Sequence, residues 1–499
     1  MPCRLLAFAL MICLGCEGPS VLDAGADGDG DAGSTDAGVD LCEGFVVPER
    51  SVHDRCDEPA LASPDQLGTC ELGSGSAGVW SVDAEGLPAY DLGIDQRCDP
   101  AGRAYSPRPY PLRDPIHAVA NGLGLLAMAH ASGGVEVYTQ DRGHAWVNHV
   151  DTWVDPRDPS YPPQLGGGFL YLVGEDGMVR STRFEDLPLG DALAMQSRRF
   201  GVGYVETLTR FPDVTVRHRV LAPDLGARAL VSEVELITPD GAPRRFSVIE
   251  VWDPNFFQVE VELLTSDLAS NSITARIDRR RRARAADFLH RVSFVPGERR
   301  IEVVTTARAL PSDIDDRLDP ATTDWFLPEL YLARLDPGPI DGVWLVAEEL
   351  WGAGVDRAPP SSVSGSSSLE ARTLEVPGEG QPVALAMRAE LEASGTPVRM
   401  RHAFGMVPAG DTAAAAIAEL RAVEGELPRD TAARWHDRLL WAAFPGLPSA
   451  GALQRELAWS SYGTLRVRAT PPSARPREDS PRSARATWRS RRSCWRNAT

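Results

Sequence analysis

The sequence predicts a mainly β protein: a large antiparallel β-sandwich that gives way to helices toward its C-terminal end. Three observations lead there. First, the stretch "VTVRHRVLAP" puts Val214, Val216, His218 and Val220 on one face, the period-two alternation of a half-buried strand. Second, such segments recur from about Val79 to Met406 with few helical periods between them. Many antiparallel strands over that length imply a sandwich. Third, after Met406 the pattern turns Ala-rich and helix-favouring, with capping residues at the expected places. The 499 residues allow about two to four domains. A hydrophobic content of 43% is ample for large cores, and a formal net charge of -19 argues against nucleic acid as a partner. All 51 Lys+Arg residues are arginine. That bias is a codon-composition effect expected of a GC-rich bacterial genome.

Residues 1–16, "MPCRLLAFALMICLGC", carry one early positive charge, Arg4, and an apolar run from Leu5 to Leu14 that is too short to span a bilayer stably. The ending Cys13-Leu14-Gly15-Cys16 resembles a bacterial lipoprotein lipobox, with Cys13 where the pattern prefers Leu. The resemblance implies cleavage before Cys16 and lipidation of Cys16; an ordinary secretory signal is the alternative. Either one implies export, and the first implies a membrane anchor in the periplasm, outer membrane or cell surface. Residues 17–41 contain "DAGADGDGDAGSTDAGVD", which has no apolar period and is expected to be a disordered tether. Its Asp27, Asp29 and Asp31 do not make an EF-hand loop, because Ala32 and Gly38 occupy the positions that require Gly and Glu.

Residues 42–78 form a loop-rich segment. Cys42, Cys56 and Cys70 lie in it, and Cys98 follows soon after. No C-x-x-C pair is present, so two disulfides in an oxidising compartment are expected rather than zinc, with the connectivity open. Residues 79–408 make the sandwich. Within it, "ALVSEVELITPDGAPRRFSVIEVWD" gives two strands around the Pro239-Asp240-Gly241 turn, and "RRIEVVTTARAL" and "DGVWLVAEELW" give further strands. Glu206 is expected to pair with a nearby arginine on a sheet face. The basic run Arg279–Arg284 is expected to be a solvated loop.

Residues 409–448 are expected to be a helical linker, with Asp411 and Asp430 as caps and Trp435 and Leu439 at i,i+4. From 449 a further helix caps at Ser449, with Leu453 and Leu457 spaced likewise. The tail from 463 to 499 breaks this character. It holds ten arginines against Glu478 and Asp479, a net charge of +8, which leaves -27 on the remainder. An out-of-frame stretch of a GC-rich gene is rich in Arg, Pro, Ser and Ala, so a frameshift just after Tyr462 is expected. A basic tail that binds anionic lipid or polysaccharide is the alternative.

Three stretches carry a family resemblance: "FGVGYVETLTRFPDVTVRHRVLAPDLGARALVSEVELIT" (Phe200–Thr238), "QDRGHAWVNHVD" (Gln140–Asp151) and "LQRELAWSSY" (Leu453–Tyr462). The first resembles the aromatic-Gly-x-Gly-Tyr strand of glycoside hydrolase family 94 and its relatives, the cellobiose and chitobiose phosphorylases and the phosphorylase-like region of cyclic β-1,2-glucan synthases. The second lies where such proteins carry a Trp-containing loop. The third resembles the start of their helical barrel. The resemblance implies an N-terminal β super-sandwich, a helical linker, and residues 449–462 as the first helix of a truncated (α/α) toroid. It also implies inverting phosphorolysis, in which one Asp protonates the glycosidic oxygen while phosphate attacks from the opposite face. That Asp lies in the toroid, so no catalytic residue is carried onto this sequence.

Candidate carbohydrate contacts are Trp146, His149, Asp151 and Trp153, because sugars are recognised by aromatic faces and hydrogen-bonding side chains. Ordinary loop packing is the competing reading. His144 and His149 lack a third ligand at metal spacing, and no Gly-rich phosphate loop, Ser nucleophile elbow or H-E-x-x-H motif occurs. No metal or cofactor is therefore expected. The expected partners are a β-glucan-like oligo- or polysaccharide and, through Cys16, a membrane. The expected function is the carbohydrate-binding part of an exported family 94-like enzyme, truncated before its catalytic domain. A non-enzymatic surface lipoprotein that binds glycan or protein is the alternative.

Overall fold

Among the described residues the strands run from Gly78 to Met406, with one short α-helix between them and three α-helices after them. The computed structural model describes residues 78–93, 116–131, 133–139, 145–148, 150, 165–183, 195–226, 228–254, 257–258, 288–307, 329–352, 368–378, 382–407, 411–423, 427–442, 444, 447 and 450–465. In chain order the strands are β1 (Gly78–Val82), β2 (Pro88–Gly93), β3 (Ile116–Ala120), β4 (Leu125–His130), β5 (Val135–Thr139), β6 (Ala145–Trp146) and β7 (Gly167–Gly174). Next come β8 (Val179–Ser181), β9 (Met195–Gly201), β10 (Tyr204–Arg210), β11 (Thr215–Leu221), β12 (Arg228–Ile237), β13 (Arg244–Trp252) and β14 (Phe257–Gln258). The last are β15 (Phe288–Val295), β16 (Arg300–Ala307), β17 (Leu330–Arg334), β18 (Gly342–Val346), β19 (Arg372–Pro377), β20 (Val383–Ala393) and β21 (Val398–Met406). The α-helices among the described residues are α1 (Ala347–Trp351), α2 (Ala413–Ala422), α3 (Leu427–Arg438) and α4 (Ala450–Leu465).

An eleven-stranded sheet runs β1-β2-β9-β10-β11-β12-β21-β17-β16-β15-β19, and every pairing in it is antiparallel. A five-stranded sheet, β18-β20-β13-β7-β8, packs on it face to face. A second five-stranded sheet, β14-β6-β5-β4-β3, adds Val119, Leu125, Val135 and Val137 to the largest core cluster. The predicted fold class is the observed one: a large antiparallel β-sandwich followed by helices.

Period-two alternation explains the layers. On β11 the burial of Val216, His218 and Val220, with Arg217 exposed, follows the pattern legible in the sequence. β12 is buried on both faces from Ala229 to Ser232 and alternates beyond, and β13 is buried on both faces from Val248 to Trp252. Leu230 and Val234 of β12 look into the sandwich, while Ala229 and Val231 pack under α2 with Ile417 and Leu420. The Pro239-Asp240-Gly241 turn does not close a hairpin. It carries the chain from the large sheet to the facing one, because β12 pairs with β21 while β13 pairs with β20 and β7.

Several sequence expectations change in detail. The segment "DGVWLVAEELW" is strand only to Val346. Ala347–Trp351 turn into α1, which buries Leu350 and lets Trp351 Nε1 donate to Tyr171 Oη at 3.2 Å. α2 is capped by Thr412, whose hydroxyl accepts from Ala415 N at 3.2 Å, one residue beyond the expected Asp411. α3 begins at Leu427, so Asp430 lies in its first turn and favours the positive end of the helix dipole rather than capping it. Ser449 lies outside the described residues. In α4 the buried stripe is Ala450, Gln454, Ala458 and Tyr462, an i,i+4 ladder of mostly small or polar side chains. Leu453, one of the two leucines at i,i+4 spacing, is exposed. The helix also continues three residues past Tyr462, with Leu465 packed against the cluster of Trp435 and Leu439.

Candidate functional site

Of the four predicted sugar contacts, Trp146 lies at the end of β6, paired with Tyr138 of β5 and Phe257 of β14. His149, Asp151 and Trp153 lie outside the described residues, as do Cys16, Cys42, Cys56, Cys70 and Cys98. The structure does define the base of the loop. Asn148 is fully buried; its Oδ1 accepts from Val137 N at 2.6 Å and its Nδ2 donates to Val135 O at 2.8 Å. Val147 N donates to Val137 O at 2.9 Å, and Val150 N donates to Glu136 Oε1 at 2.9 Å. Glu136 also faces His130 Nε2 at 3.2 Å. A bridge between Val150 and Leu165 closes the far side. A short polar residue aimed inward thus does the work of ladder hydrogen bonds, and the segment is fixed to the small sheet at four points.

A second polar constellation sits on the outer face of the large sheet. In the β1–β2 turn, Asp83 Oδ1 accepts from Glu85 N at 3.1 Å and Leu87 N at 2.8 Å, an Asx-type closure. Its Oδ2 accepts from Tyr204 Oη at 3.1 Å. Burial pushes the Asp83 carboxyl up to about 6, against the Leu87 amide that lowers it. Burial also pushes the Tyr204 phenol up. The Arg219 guanidinium stands 4.7 Å over the Tyr204 ring and donates to Glu206 Oε2 from Nη2 at 2.9 Å, the arginine partner expected for Glu206. Pro428, Thr431 and Ala432 of α3 complete a cleft of about 10 Å³. That volume admits one water and no sugar ring. The constellation is a polar clasp between the first hairpin, the large sheet and α3.

The third constellation lies inside the sandwich. Ser232 Oγ is 2.7 Å from His218 Nε2 and donates to Glu250 Oε2 at 2.9 Å, and Trp252 Nε1 donates to Glu250 Oε1 at 3.0 Å. The residue types are those of a hydrolytic triad, but the order differs. Here the serine stands between imidazole and carboxylate, whereas a nucleophile needs the imidazole in the middle. All three side chains are buried, so no substrate reaches them. Burial pushes Glu250 up to about 8. It drives His218 down to about 3, helped by Arg198, and His402 down to about 3, helped by Arg334 and His218. Among the described residues neither ring nitrogen of His402 has a hydrogen-bond partner. Among the described residues no three His, Cys, Asp or Glu side chains gather to hold a metal ion.

Sequence inspection did not single out Asp83, Ser232 or Glu250; Tyr204 entered only as the tyrosine of the aromatic-Gly-x-Gly-Tyr strand and His218 only as one position of an alternating face. One signal was present for Glu250: an acid between Val248 and Trp252 on the inward period of an otherwise apolar strand.

No protein-family model matches the chain, and no curated protein matches it. Among solved structures, a mutant of heparan sulfate lyase HepC from Pedobacter heparinus is similar with a TM-score of 0.28 and 10% identity, over 62% of this chain and 38% of that one. The heparan sulfate lyase HepC structure from the same organism gives a TM-score of 0.26 and 10% identity, over 60% of this chain and 37% of that one. The chain spans well under half the length of these proteins, and at such scores no residue of it is assigned from them.

Proposed function

We propose that this chain is a carbohydrate-binding β-sandwich from an exported, lipid-anchored protein of the family 94-like group, which binds β-linked glucan through the loop containing Trp146, His149, Asp151 and Trp153. The observation that carries the reading is the anchoring of Val147, Asn148 and Val150. Asn148, Glu136 and the Val150–Leu165 bridge hold the base of an aromatic- and carboxylate-bearing loop on a rigid sheet. Binding residues on loops fixed by a scaffold lose little freedom when a ligand is taken up. The order of sandwich, then helices, with α4 packed on the first hairpin, supports the family resemblance.

None of the constellations described here pairs an accessible acid with room for a nucleophile, so the proposal is of binding and not of catalysis by these residues. The test is calorimetric titration of the full chain with β-1,2-, β-1,3- and β-1,4-linked gluco-oligosaccharides. We expect saturable binding that weakens about tenfold in Trp146→Ala and Trp153→Ala, and no release of sugar phosphate from β-linked disaccharides with phosphate. Absence of binding to every β-glucan at millimolar concentration overturns the reading.

A further inference from the structure

We propose that the corner formed by the 3-10 turn Pro296–Glu298, residues 335–340 and the C-terminal end of α2 is an oxyanion site, taking a tetrahedral phosphate or sulfate group on Arg299 and Arg421. The backbone there is unusual. Arg299 has φ 52, and among the described residues it alone combines a side chain with positive φ. Its N–H donates to Pro296 O at 3.1 Å, and Arg334 N donates to its carbonyl at 3.0 Å. Non-glycine residues persist in this conformation where surrounding contacts hold them, and functional sites are where they concentrate.

Both guanidinium groups are held by one nitrogen and leave the others unused. Arg299 Nη1 donates to Asp336 O at 2.6 Å, and Arg421 Nη2 donates to Glu298 O and Arg334 O, each at 2.8 Å. Arg299 Nε and Nη2 make no hydrogen bond to the described protein. Together they form one edge of the guanidinium, the planar fork that matches two oxygens of an oxyanion. Arg421 likewise has Nη1 unused, and its Nε is buried without a partner. Fixing each side chain through a carbonyl removes most of the rotamer entropy that an arginine loses on gripping a ligand.

The carboxylates near the corner are engaged by other groups, and Asp336 and Asp341 act on Arg334 only from beyond contact distance, against the burial that lowers it. Glu298 and Glu302 are both committed to Arg300, and Asp336 to Arg401 at 3.0 Å. Asp341 accepts from Glu390 N at 2.8 Å. Among the described residues no carboxylate lies within ion-pair distance of Arg299, Arg421 or the buried Arg334, whose Nη1 is turned to Pro339 O. Burial lowers the Arg421 guanidinium, and the charges of Arg299 and Arg300 lower it further. Backbone carbonyls satisfy hydrogen-bonding nitrogens but carry no formal charge. A bound oxyanion supplies both acceptors and charge.

The test uses the full chain, titrated with sodium phosphate and sodium sulfate against sodium chloride at matched ionic strength and followed by calorimetry and thermal unfolding. We expect saturable uptake of phosphate and sulfate but not of chloride, weakened about tenfold in Arg421→Gln and in Arg299→Gln. If one variant fails to fold, the wild-type titration and the other variant still decide. Equal effects of phosphate and chloride overturn the proposal, as does full phosphate binding by both variants. Glucose 6-phosphate distinguishes the sources. Binding much tighter than that of inorganic phosphate identifies a group carried on a sugar, and equal binding identifies the free ion.

Discussion

Gly203 has φ +81 in the two-residue turn between β9 and β10, and a Cβ there would lie 2.8 Å from Trp435 Nε1. Both the backbone and the space require glycine, so Gly203→Ala should lower stability by about 2 kcal/mol, read as a shift in the urea midpoint. Glu250 works through protonation. Its folded carboxyl is pushed up to about 8 from an ordinary 4.5, so the folded protein keeps a proton that the unfolded chain releases. The stability it contributes is complete below pH 4.5 and is lost as pH rises through 8. Glu250→Gln mimics the neutral acid toward Ser232 and Trp252, and its urea midpoint should stay level across the window in which the wild type falls. His402 has the opposite sign. Its folded value of about 3 lies below the ordinary 6.5, so its contribution is present above pH 6.5 and is lost as pH falls toward 3. Since neither of its ring nitrogens has a partner among the described residues, His402→Leu removes a buried polar cost. We expect a higher melting temperature than wild type, with the gain growing from pH 7 to pH 4. The alternation of β11 exposed His218 as inward-facing, but nothing local revealed that Ser232 and Glu250 meet it across two sheets.

At the scale of elements, α4 is part of the sandwich rather than an appendage. Tyr462 Oη donates to Ala118 O at 2.6 Å and accepts from Ala120 N at 3.3 Å. Trp459 meets Trp80 edge-on at 5.1 Å and stacks on His117 at 5.3 Å, with Phe200 stacked on the same imidazole at 4.9 Å. Tyr462→Phe keeps the ring contacts and leaves a backbone carbonyl and amide of β3 without this partner. It should cost about 1–2 kcal/mol by chemical denaturation, with the fold retained. The helix itself was legible from its propensity and spacing. Its docking face was not, because Ala458 and Gln454 are buried where Leu453 is exposed. A stripe of small residues brings the helix backbone close to the sheet, and the aromatic residues beside it supply the area.

At the scale of the molecule, the sandwich interior is two apolar clusters, one around Trp252, Phe404 and Leu385 and the other around Phe246, Val248 and Met400. His218, Ser232, Glu250 and His402 contribute buried polar groups to the same interior. Buried polar groups cost free energy in the ionic form, and here both kinds of titrating group are held neutral. Between pH 4.5 and 6.5 the two imidazoles raise stability with pH more steeply than the one carboxyl lowers it, and above 6.5 only the Glu250 loss remains, so these groups place the stability maximum near pH 6.5. A series of urea denaturations from pH 3 to pH 9 checks the position of that maximum.

The sequence by itself determined the class of fold, the strand character of the stretch that ends at Met406 and the change to helix after it. Each of these is written in a local period of two or of about 3.6 residues and needs no distant partner. It also identified an arginine partner for Glu206, because facing strand positions on one sheet pair opposite charges. Only the tertiary structure decided that the Pro239-Asp240-Gly241 turn crosses between sheets, that Asp83 reaches Tyr204 and that Glu250 meets Ser232. It likewise decided that Arg299 and Arg421 converge on one corner. Those contacts join residues from 18 to more than 120 positions apart. They depend on strand order, and strand order is set by how whole apolar faces pack, which no short window of sequence contains.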